Sequence, residues 1–380
     1  MFLICLVIGV RATEPPHPIP SDHEFHFVVL GDSQFDDPAS FNRMIDDIKH
    51  INPAFVVQVG DMIHGYTNNM DALRKQWDRF QSQIAPLGSI TFIPVPGNHD
   101  LHNAFRAADR RVEAVYKEKW GATNRFFDYK NSRFIVLNSD APGKEEKIGA
   151  EQWSWLEQTL SSANAKHIFI FLHRPPYSLE NGDALHSLLT QHPVKYVFYG
   201  HHHHYHYKKR DNITYVMTNS SGDSGQDHAL AGSFDHFLQV GVRDAITSLA
   251  VIKADSIVHP KAVAPEDNYN LYKLAQGLAP KTVPLVNSAD QWLMSIPLSN
   301  RTTKTLLVYA ECRAADGRWT HVPEKIVPLE LASNSSDKLR ITWHSKHSEF
   351  APYCVLTIPY QIANGKWVKH ETKVIGKRSQ

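Results

Sequence analysis

Cysteine is scarce in this chain, with three residues in 380: Cys5, Cys312 and Cys354. No two of them have the CxxC spacing, which excludes the zinc and redox sites built on that motif. Cys5 lies in an apolar N-terminal stretch, which leaves a pair near the C-terminus. We expect this pair to be a disulfide if the protein is exported, and two buried free thiols are the alternative.

The chain also has no excess of charge of either sign. The formal net charge is +1, so no overall field favours nucleic acid or an anionic membrane. The basic cluster Lys208-Lys209-Arg210 is too short to indicate a nucleic-acid interface. Beyond the N-terminus, no stretch approaches the roughly 20 apolar residues of a transmembrane helix. We therefore expect no nucleic-acid partner and no stable membrane anchor, while the oligomeric state stays open.

The apolar run at the N-terminus covers residues 2–10 and is too short to cross a bilayer. Val10-Arg11-Ala12 follows it with the small residues that suit a signal-peptidase site. We interpret residues 1–12 as a signal peptide and the Pro-rich residues 13–22 as a tether, which predicts a secreted or periplasmic protein. The run has no basic residue before it, and a cytosolic protein with an irregular N-terminus is the alternative.

Hydrophobic residues make up 42% of the chain, enough for a sizeable core. Over residues 23–255, short strands first alternate with amphipathic helices, the third at Ala104–Trp120, and then follow one another. This pattern predicts an α/β (α+β) domain, a two-sheet sandwich flanked by helices. Residues 256–280 are predicted to be a linker with a short helix at Asn268–Leu274. Residues 281–380 carry strand signals alone and predict an all-β sandwich of immunoglobulin or fibronectin type.

Five predicted strands of the first domain end on side chains that can bind a metal ion. Open α/β sheets have their ligand sites at such strand ends. Carboxylates, imidazoles and amide oxygens suit Zn, Mn or Fe and exclude soft thiolate chemistry. The candidates are Asp32 with Gln34, Asp61, Asn98 with His99, His173, and the run His201–His204. Each alone is equally a turn or cap residue, so the hypothesis depends on their number and order.

The order of these motifs resembles that of the calcineurin-like metallophosphoesterase superfamily. The matching motifs are Gly31-Asp32-x-Gln34, Gly60-Asp61, Gly97-Asn98-His99-Asp100, a lone His173 and Gly200-His201-x-His203. They fall within residues 25–254, in the order the family has them. The resemblance implies a calcineurin-like catalytic domain over residues 23–255, with a β-sandwich accessory domain behind it and a site for two divalent or trivalent ions.

The resemblance also implies roles for the individual residues. The implied metal ligands are Asp32, Gln34 and His203 at the first ion, Asn98, His173 and His201 at the second, and Asp61 bridging both. A hydroxide between the ions would attack phosphorus. His99 would act as the general acid towards the leaving oxygen, and Asp100 would orient His99 through a hydrogen bond.

Gln34 departs from the family pattern, which usually has histidine at this position. An amide oxygen is a weaker ligand for a transition metal than imidazole. The first site is therefore expected to bind its ion less tightly, to take a harder ion such as Mn, or to use water as a ligand.

The run His201–His204 follows a predicted strand. In an extended segment, alternation would put His201 and His203 on one face and His202 and His204 on the other. We expect the second pair to face solvent, with lining of the pocket as the alternative.

Substrate contacts are less well defined by the sequence, because each candidate also has a purely structural interpretation. The candidates are Arg174 as a phosphate clamp, His64 and Tyr66 as contact groups, His102, Tyr177 and Tyr205 as pocket walls, and Ser220–Gly232 as a loop at the mouth.

Two functions follow from these features. The first is an exported, metal-dependent hydrolase of small phosphate esters, with monoester or diester preference left open. The second is a catalytically weak or inactive binding or scaffold protein on the same fold. Gln34 favours the second, and the otherwise full ligand set argues against it.

Overall fold

The computed structural model describes residues 24–219, 231–253, 256–258, 263–288, 291–313, 319–323, 328–345, 351–363 and 367–378. The predicted signal peptide and tether lie outside these residues, as does most of the predicted mouth loop. The α-helices of the described part are α1 (Ala39–Ile51), α2 (Met70–Ile84), α3 (Asn98–Leu101), α4 (Arg110–Trp120), α5 (Ala150–Ser161), α6 (Gly182–Leu189) and α7 (Pro265–Ala275).

Fourteen strands precede α7 in the described part. They are β1 (Phe25–Leu30), β2 (Phe55–Gln58), β3 (Thr91–Pro94), β4 (Arg125–Tyr129), β5 (Ser132–Val136), β6 (Asp140–Ala141), β7 (Lys144–Glu145), β8 (His167–Phe171), β9 (Val194–Tyr199), β10 (His206–Arg210), β11 (Ile213–Met217), β12 (Phe237–Arg243), β13 (Ile246–Lys253) and β14 (Ser256–Val258). The strands after α7 are β15 (Thr282–Ser288), β16 (Gln291–Asn300), β17 (Leu306–Arg313), β18 (Trp319–Pro323), β19 (Leu329–Leu331), β20 (Ser335–Ser345), β21 (Tyr353–Gln361) and β22 (Trp367–Arg378).

Two six-stranded sheets form the first part of the fold. The first sheet has the order β14-β13-β12-β1-β2-β3, and β1, β2 and β3 are parallel. The second has the order β10-β11-β9-β8-β5-β4, and its four inner strands are parallel. Parallel strands end at the same edge of a sheet, so the motifs that follow β1, β2, β3, β8 and β9 meet at one edge of the sandwich.

Aromatic rings fill the space between the two sheets. The ring centroid of Phe27 on β1 lies 5.2 Å from that of Phe134 and 5.1 Å from that of Phe169 on the opposite sheet. All three side chains are fully buried, and the rings of each pair meet edge to face, the arrangement that their quadrupoles favour. This packing fixes the separation of the strand ends that carry the candidate ligands.

Helices cover the outer faces of both sheets. Helices α1, α2 and α4 pack on the first sheet, and α5 and α6 pack on the second. The expected helix at Ala104–Trp120 is too long at its N-terminus. Helix α4 begins at Arg110 because Asp109 caps it, accepting a hydrogen bond from the backbone N–H of Arg111 at 2.8 Å, and because Arg106 has a positive φ of 59°.

The C-terminal region is an all-β sandwich, as predicted. Its strands are hydrogen-bonded in the order β18-β20-β16-β15-β22-β21-β17-β19, and they enclose a buried apolar core. Cys312 on β17 and Cys354 on β21 are directly paired and joined by a disulfide, the first of the two alternatives for this pair. No helix in the described part of the chain is long and apolar enough to span a membrane.

Helix α7 lies within the predicted linker and extends beyond the expected Asn268–Leu274. The side chain of Asn268 donates to the backbone carbonyls of Tyr205 at 3.1 Å and Ala231 at 2.7 Å, in the first part of the fold. On the same helix, Asn270 donates to the hydroxyl of Tyr360 at 3.1 Å, in the C-terminal sandwich. Helix α7 therefore connects the two parts through buried hydrogen bonds.

His236 lies just before β12, and the pH dependence of the protein's stability tests whether its ring is buried as the structure shows. Its ring is fully buried, and Nδ1 donates to the carbonyl of Phe234 at 2.9 Å. Burial lowers the pKa of His236 from 6.5 to about 4. As the pH falls through this window, the unfolded chain binds a proton that the folded chain does not, so stability decreases with decreasing pH.

We expect His236→Asn to remove this contribution, because an Asn amide can still donate to Phe234 but does not titrate. Between pH 7 and pH 4.5, the free energy of unfolding of the variant should fall by about 2 kcal/mol less than that of the unchanged protein. Urea unfolding at the two pH values measures this difference. Equal losses in both proteins would contradict the burial of a neutral ring.

Candidate metal centre

The loops after β2 and β8 meet around the ring of His173. Its Nδ1 lies 2.9 Å from the backbone carbonyl of Val59, and since a carbonyl can only accept, Nδ1 carries a proton. The other ring nitrogen, Nε2, faces Oδ2 of Asp61 at 3.1 Å, Oδ1 of Asn98 at 2.9 Å and Nδ1 of His201 at 3.1 Å. Two oxygen atoms and one nitrogen atom, each with a lone pair, thus surround Nε2 of His173.

This arrangement favours a positive charge. Burial alone would lower the pKa of His173, but the carboxylate of Asp61 raises it to about 10. Burial would likewise raise the pKa of Asp61, but the charge of His173 holds it well below its ordinary value. Burial and the charge of His173 lower the pKa of His201 to about 3, so this ring is neutral and able to ligate. The ligand atoms of Asp61, His173 and His201 lie within 4.8 Å of one another, which fits a metal ion.

A second group of donors lies around Asp32, which is fully buried. Its Oδ2 is 3.0 Å from Nε2 of His203, and Nε2 of Gln34 is 3.3 Å from the same ring nitrogen. Burial would lower the pKa of His203, but the hydrogen bond to Asp32 raises it overall. In the described part of the chain, Oε1 of Gln34 is buried without a hydrogen-bond partner, and a cation would satisfy it.

The two groups are close because the backbone between strands and ligands is tightly folded. Gly60 has a φ of 98°, and a Cβ at this position would overlap the ring of His173. A Cβ on Gly200 would overlap the carboxylate of Asp32, and the backbone N–H of His201 lies 3.3 Å from both oxygens of that carboxylate. Glycine is therefore required at both turns.

Asp100 positions the backbone around Asp61, and the expectation that it orients His99 is wrong. Its buried carboxylate accepts from the backbone N–H groups of Asp61 at 2.9 Å, Met62 at 3.0 Å and Gly97 at 2.9 Å. Burial, together with the charge of Asp61, raises the pKa of Asp100 well above its ordinary value. The carboxylate is satisfied by the two turns themselves and fixes Asp61, whose φ of 51° is positive.

His99 is oriented by a backbone carbonyl instead. Its Nδ1 donates to the carbonyl of His64 at 2.6 Å, and its backbone N–H donates to Oδ1 of Asp61 at 2.8 Å. Its free Nε2 lies 4.0 Å from Oδ2 of Asp61, at the rim of the cluster, and 19% of its side chain is exposed. The ring is therefore beside the donor groups, where it is able to exchange a proton with a bound molecule.

Tyr66 was expected to contact substrate, and the structure gives it a second role. Its hydroxyl accepts a hydrogen bond of 2.6 Å from Nδ2 of Asn98, which leaves Oδ1 of Asn98 to face His173. The ring of Tyr66 also lies 4.2 Å from that of His99, between centroids. Tyr66 therefore fixes which end of the Asn98 amide points into the centre.

Arg174 lies over the same cluster and is held by two carboxylates that the sequence analysis missed. Its Nε donates to Asp140 at 2.7 Å, and its Nη1 donates to Glu146 at 2.9 Å and lies 3.3 Å from Nε2 of His201. Asp140 is fully buried, and its carboxylate also accepts from the hydroxyl of Ser139 at 2.9 Å and lies 3.4 Å from Nε2 of His102. Asp140 comes shortly after β5, a strand that was not among the five with candidate ligands. A carboxylate close behind the end of this strand was the sequence signal that could have identified it.

The histidine run differs from the expected extended segment. His201 and His203 have φ values of 77° and 52°, so strict alternation does not apply, although both rings face the donor groups. His204 does not face solvent. It is buried, with its ring stacked on that of Tyr272 at 4.6 Å, because α7 covers this loop. His202 is partly exposed and lies beside Tyr177.

Tyr205 is not a wall of the centre. It is fully buried between the sheets, 5.2 Å from His236 between ring centroids. Residues 220–230 of the expected mouth loop lie outside the described residues.

Comparison with known proteins agrees with this geometry. Residues 25–205 match the family model of the calcineurin-like phosphoesterases. The serine/threonine-protein phosphatase CPPED1 of Rattus norvegicus is 27% identical over 240 residues, which are 57% of this chain and 70% of that protein. The 3',5'-cyclic adenosine monophosphate phosphodiesterase CpdA of Escherichia coli K12 is 28% identical over 190 residues, which are 46% of this chain and 63% of that protein.

A solved structure shares the fold. The dimetal phosphatase from Danio rerio superposes with a TM-score of 0.50 at 16% identity, over 62% of this chain and 98% of that one. The sheet order, the strand-end donors and these similarities agree on one family. Residues 25–205 thus form a calcineurin-like phosphoesterase domain.

Proposed function

We propose that the protein is an exported hydrolase of small phosphate esters that uses two metal ions. The proposal depends on one observation, that Asp61, Asn98 and His201 converge on the Nε2 atom of His173. A cation bound among these side chains would satisfy their lone pairs. Buried donors around Asp32 supply a second group beside the first. Both groups lie at the strand ends where the family has its metal ligands.

Export is supported by two features of the chain. The apolar run at residues 2–10, with small residues after it, is typical of a signal peptide. The disulfide between Cys312 and Cys354 suits an oxidising compartment, since disulfides are rare where thiols are kept reduced.

The residues divide between the two ions by their contacts. The first ion, of Mn, Fe or Zn, would be held by Asp32, His203 and the oxygen of Gln34, the second by Asn98, His173 and His201, and Asp61 would be shared. When bound, such a pair of ions supplies a water nucleophile at neutral pH and Lewis-acid stabilisation of the phosphoryl oxygens.

Residues around the ions bind the ester and move a proton. Arg174 is fixed by Asp140 and Glu146, and its guanidinium lies beside His201, where it would donate to a phosphoryl oxygen. His99 donates Nδ1–H to the carbonyl of His64, so a proton on its Nε2 is the one that passes to the leaving oxygen. Asp100 does not take part in this transfer and instead keeps Asp61 in place.

A scaffold without turnover is the second candidate, and Gln34 is the observation that favours it. Metal-stripped protein, supplied with Mn, Zn or Fe, is assayed with 4-nitrophenyl phosphate and with bis(4-nitrophenyl) phosphate. Turnover of either ester supports the hydrolase, and the ratio of the two rates decides between monoester and diester preference. Absence of turnover with every metal supports the scaffold.

We expect Asp61→Asn to lower turnover about 100-fold or more and to reduce bound metal from two ions per chain to at most one, because an amide is neutral and has a single oxygen donor. Elemental analysis and the esterase assay measure both effects. The matched control is Asp71→Asn, whose side chain is 91% exposed and should change neither. Two bound ions and full turnover in Asp61→Asn would contradict the shared-ligand role.

Gln34→His should strengthen the first site, since imidazole is a better ligand for these ions than an amide oxygen. We expect the affinity for the more weakly bound ion to rise about 10-fold. Competition with a chelator measures the affinity of each ion separately. Unchanged affinity would show that the side chain at position 34 does not ligate.

His99→Asn should slow hydrolysis in a way that depends on the leaving group. We expect a loss of about 100-fold or more with ethyl phosphate, whose alkoxide needs a proton, and a much smaller loss with 4-nitrophenyl phosphate. Metal content should not change, because His99 is outside the donor set. An equal loss with both esters would rule out proton donation by His99.

A further inference from the structure

A cavity of about 600 Å³ opens on the outer face of the second sheet, between α6 and α7. Its walls carry five tyrosines and the ring of His202, and we call it the tyrosine groove. The tyrosines are Tyr177, Tyr199, Tyr215, Tyr269 and Tyr272. The volume is within the range of small-molecule sites, and rings of this kind bind planar groups by stacking.

The end of the groove at His202 is close to the metal centre. His202 lines the groove, and its ring centroid is 5.0 Å from that of His201, one of the candidate ligands. On its other side, His202 is 6.5 Å from the exposed ring of Tyr177. The ring of His202 therefore lies between a candidate ligand of the metal centre and the aromatic wall of the groove.

The far end of the groove is basic. His206, Lys208 and Arg210 point into it from alternate positions of β10, and Lys273 approaches from α7. Arg210 is paired with Asp183 at 3.0 Å, whereas Lys208 and Lys273 form no ion pair with a described residue. Lys273 lies 5.6 Å from the ring centroids of both Tyr269 and Tyr272. Among the lining residues, Lys208, Arg210 and Lys273 are positively charged and only Asp183 is negatively charged. This end of the groove therefore attracts a negative group.

The groove is also a formed site, because its outer wall is anchored. Asn268 of α7 donates to two backbone carbonyls, and the ring of Tyr272 stacks on the buried His204. These contacts hold the tyrosines of α7 opposite the sheet. A ligand that enters between them loses little free energy to reorganisation.

We propose that the tyrosine groove binds the organic part of the substrate, and that this part is an aromatic ring system with a negatively charged substituent. The proposal rests on the proposed function, since the phosphoryl group of the same molecule lies at the metal centre. The substrate class is therefore an aromatic phosphate ester with a second anionic group at its far end.

The test compares two esters, 6-carboxy-2-naphthyl phosphate, which carries an aromatic ring system and a carboxylate, and ethyl phosphate, which carries neither. The groove variants are Tyr269→Ala and Lys208→Glu. Their matched controls are Tyr309→Ala, since Tyr309 is 42% exposed in the C-terminal sandwich and Tyr269 is 46% exposed, and Lys209→Glu on the opposite face of β10.

We expect each groove variant to raise KM for the naphthyl ester about 5-fold to 10-fold and to leave KM for ethyl phosphate within about twofold. The control variants should leave both values within about twofold. An equal change with both esters, or no change with the naphthyl ester, overturns the proposal. Because each ester is compared with itself in the unchanged protein, intrinsic reactivity of the leaving groups cancels.

Failure of the proposed function would be seen separately, as no turnover of either ester by the unchanged protein. Saturation-transfer NMR then measures binding of 6-carboxy-2-naphthyl phosphate directly. Loss of the ring signal in Tyr269→Ala and Lys208→Glu, with the signal retained in both controls, supports an aromatic, anionic ligand in the groove. Equal signals in all five proteins overturn it.

Discussion

The hydrogen bond from Nδ1 of His173 to the carbonyl of Val59 determines the chemistry of the centre. It fixes the tautomer of the ring and directs Nε2 towards Asp61, Asn98 and His201. Val59 follows a strand of the first sheet and His173 a strand of the second, so the bond also ties the two sheets together at the site. The aromatic packing between the sheets sets the separation that this bond spans.

Two buried carboxylates support this centre without belonging to the donor set. Asp100 binds three backbone N–H groups of the turns that carry Asp61 and Asn98, and Asp140 binds Arg174. A buried carboxylate is stable when several hydrogen bonds replace its water. In each case these hydrogen bonds position a residue of the candidate centre, Asp61 or Arg174.

The strand-end candidates could be predicted from the sequence because parallel strands deliver their following residues to one edge, whatever the details of packing. The partner of Asp100 could not, because a carboxylate beside a histidine gives no sign that backbone N–H groups are nearer. Asp140 was missed because only strand ends with metal-type motifs were considered. The burial of His204 could not be predicted either, because it depends on α7, which is distant in sequence.

Helix α7 follows the candidate metal ligands in the chain but packs beside them in the fold. The candidate metal ligands lie on loops of the double sheet, whereas one wall of the neighbouring groove is a helix whose Asn270 donates a hydrogen bond to Tyr360 of the C-terminal sandwich. Substitutions along that helix, or in the strands behind it, would change this wall of the groove while the candidate metal ligands stay untouched. The candidate ligands and this one wall of the groove are thus encoded in separate stretches of the gene, free to diverge at different rates.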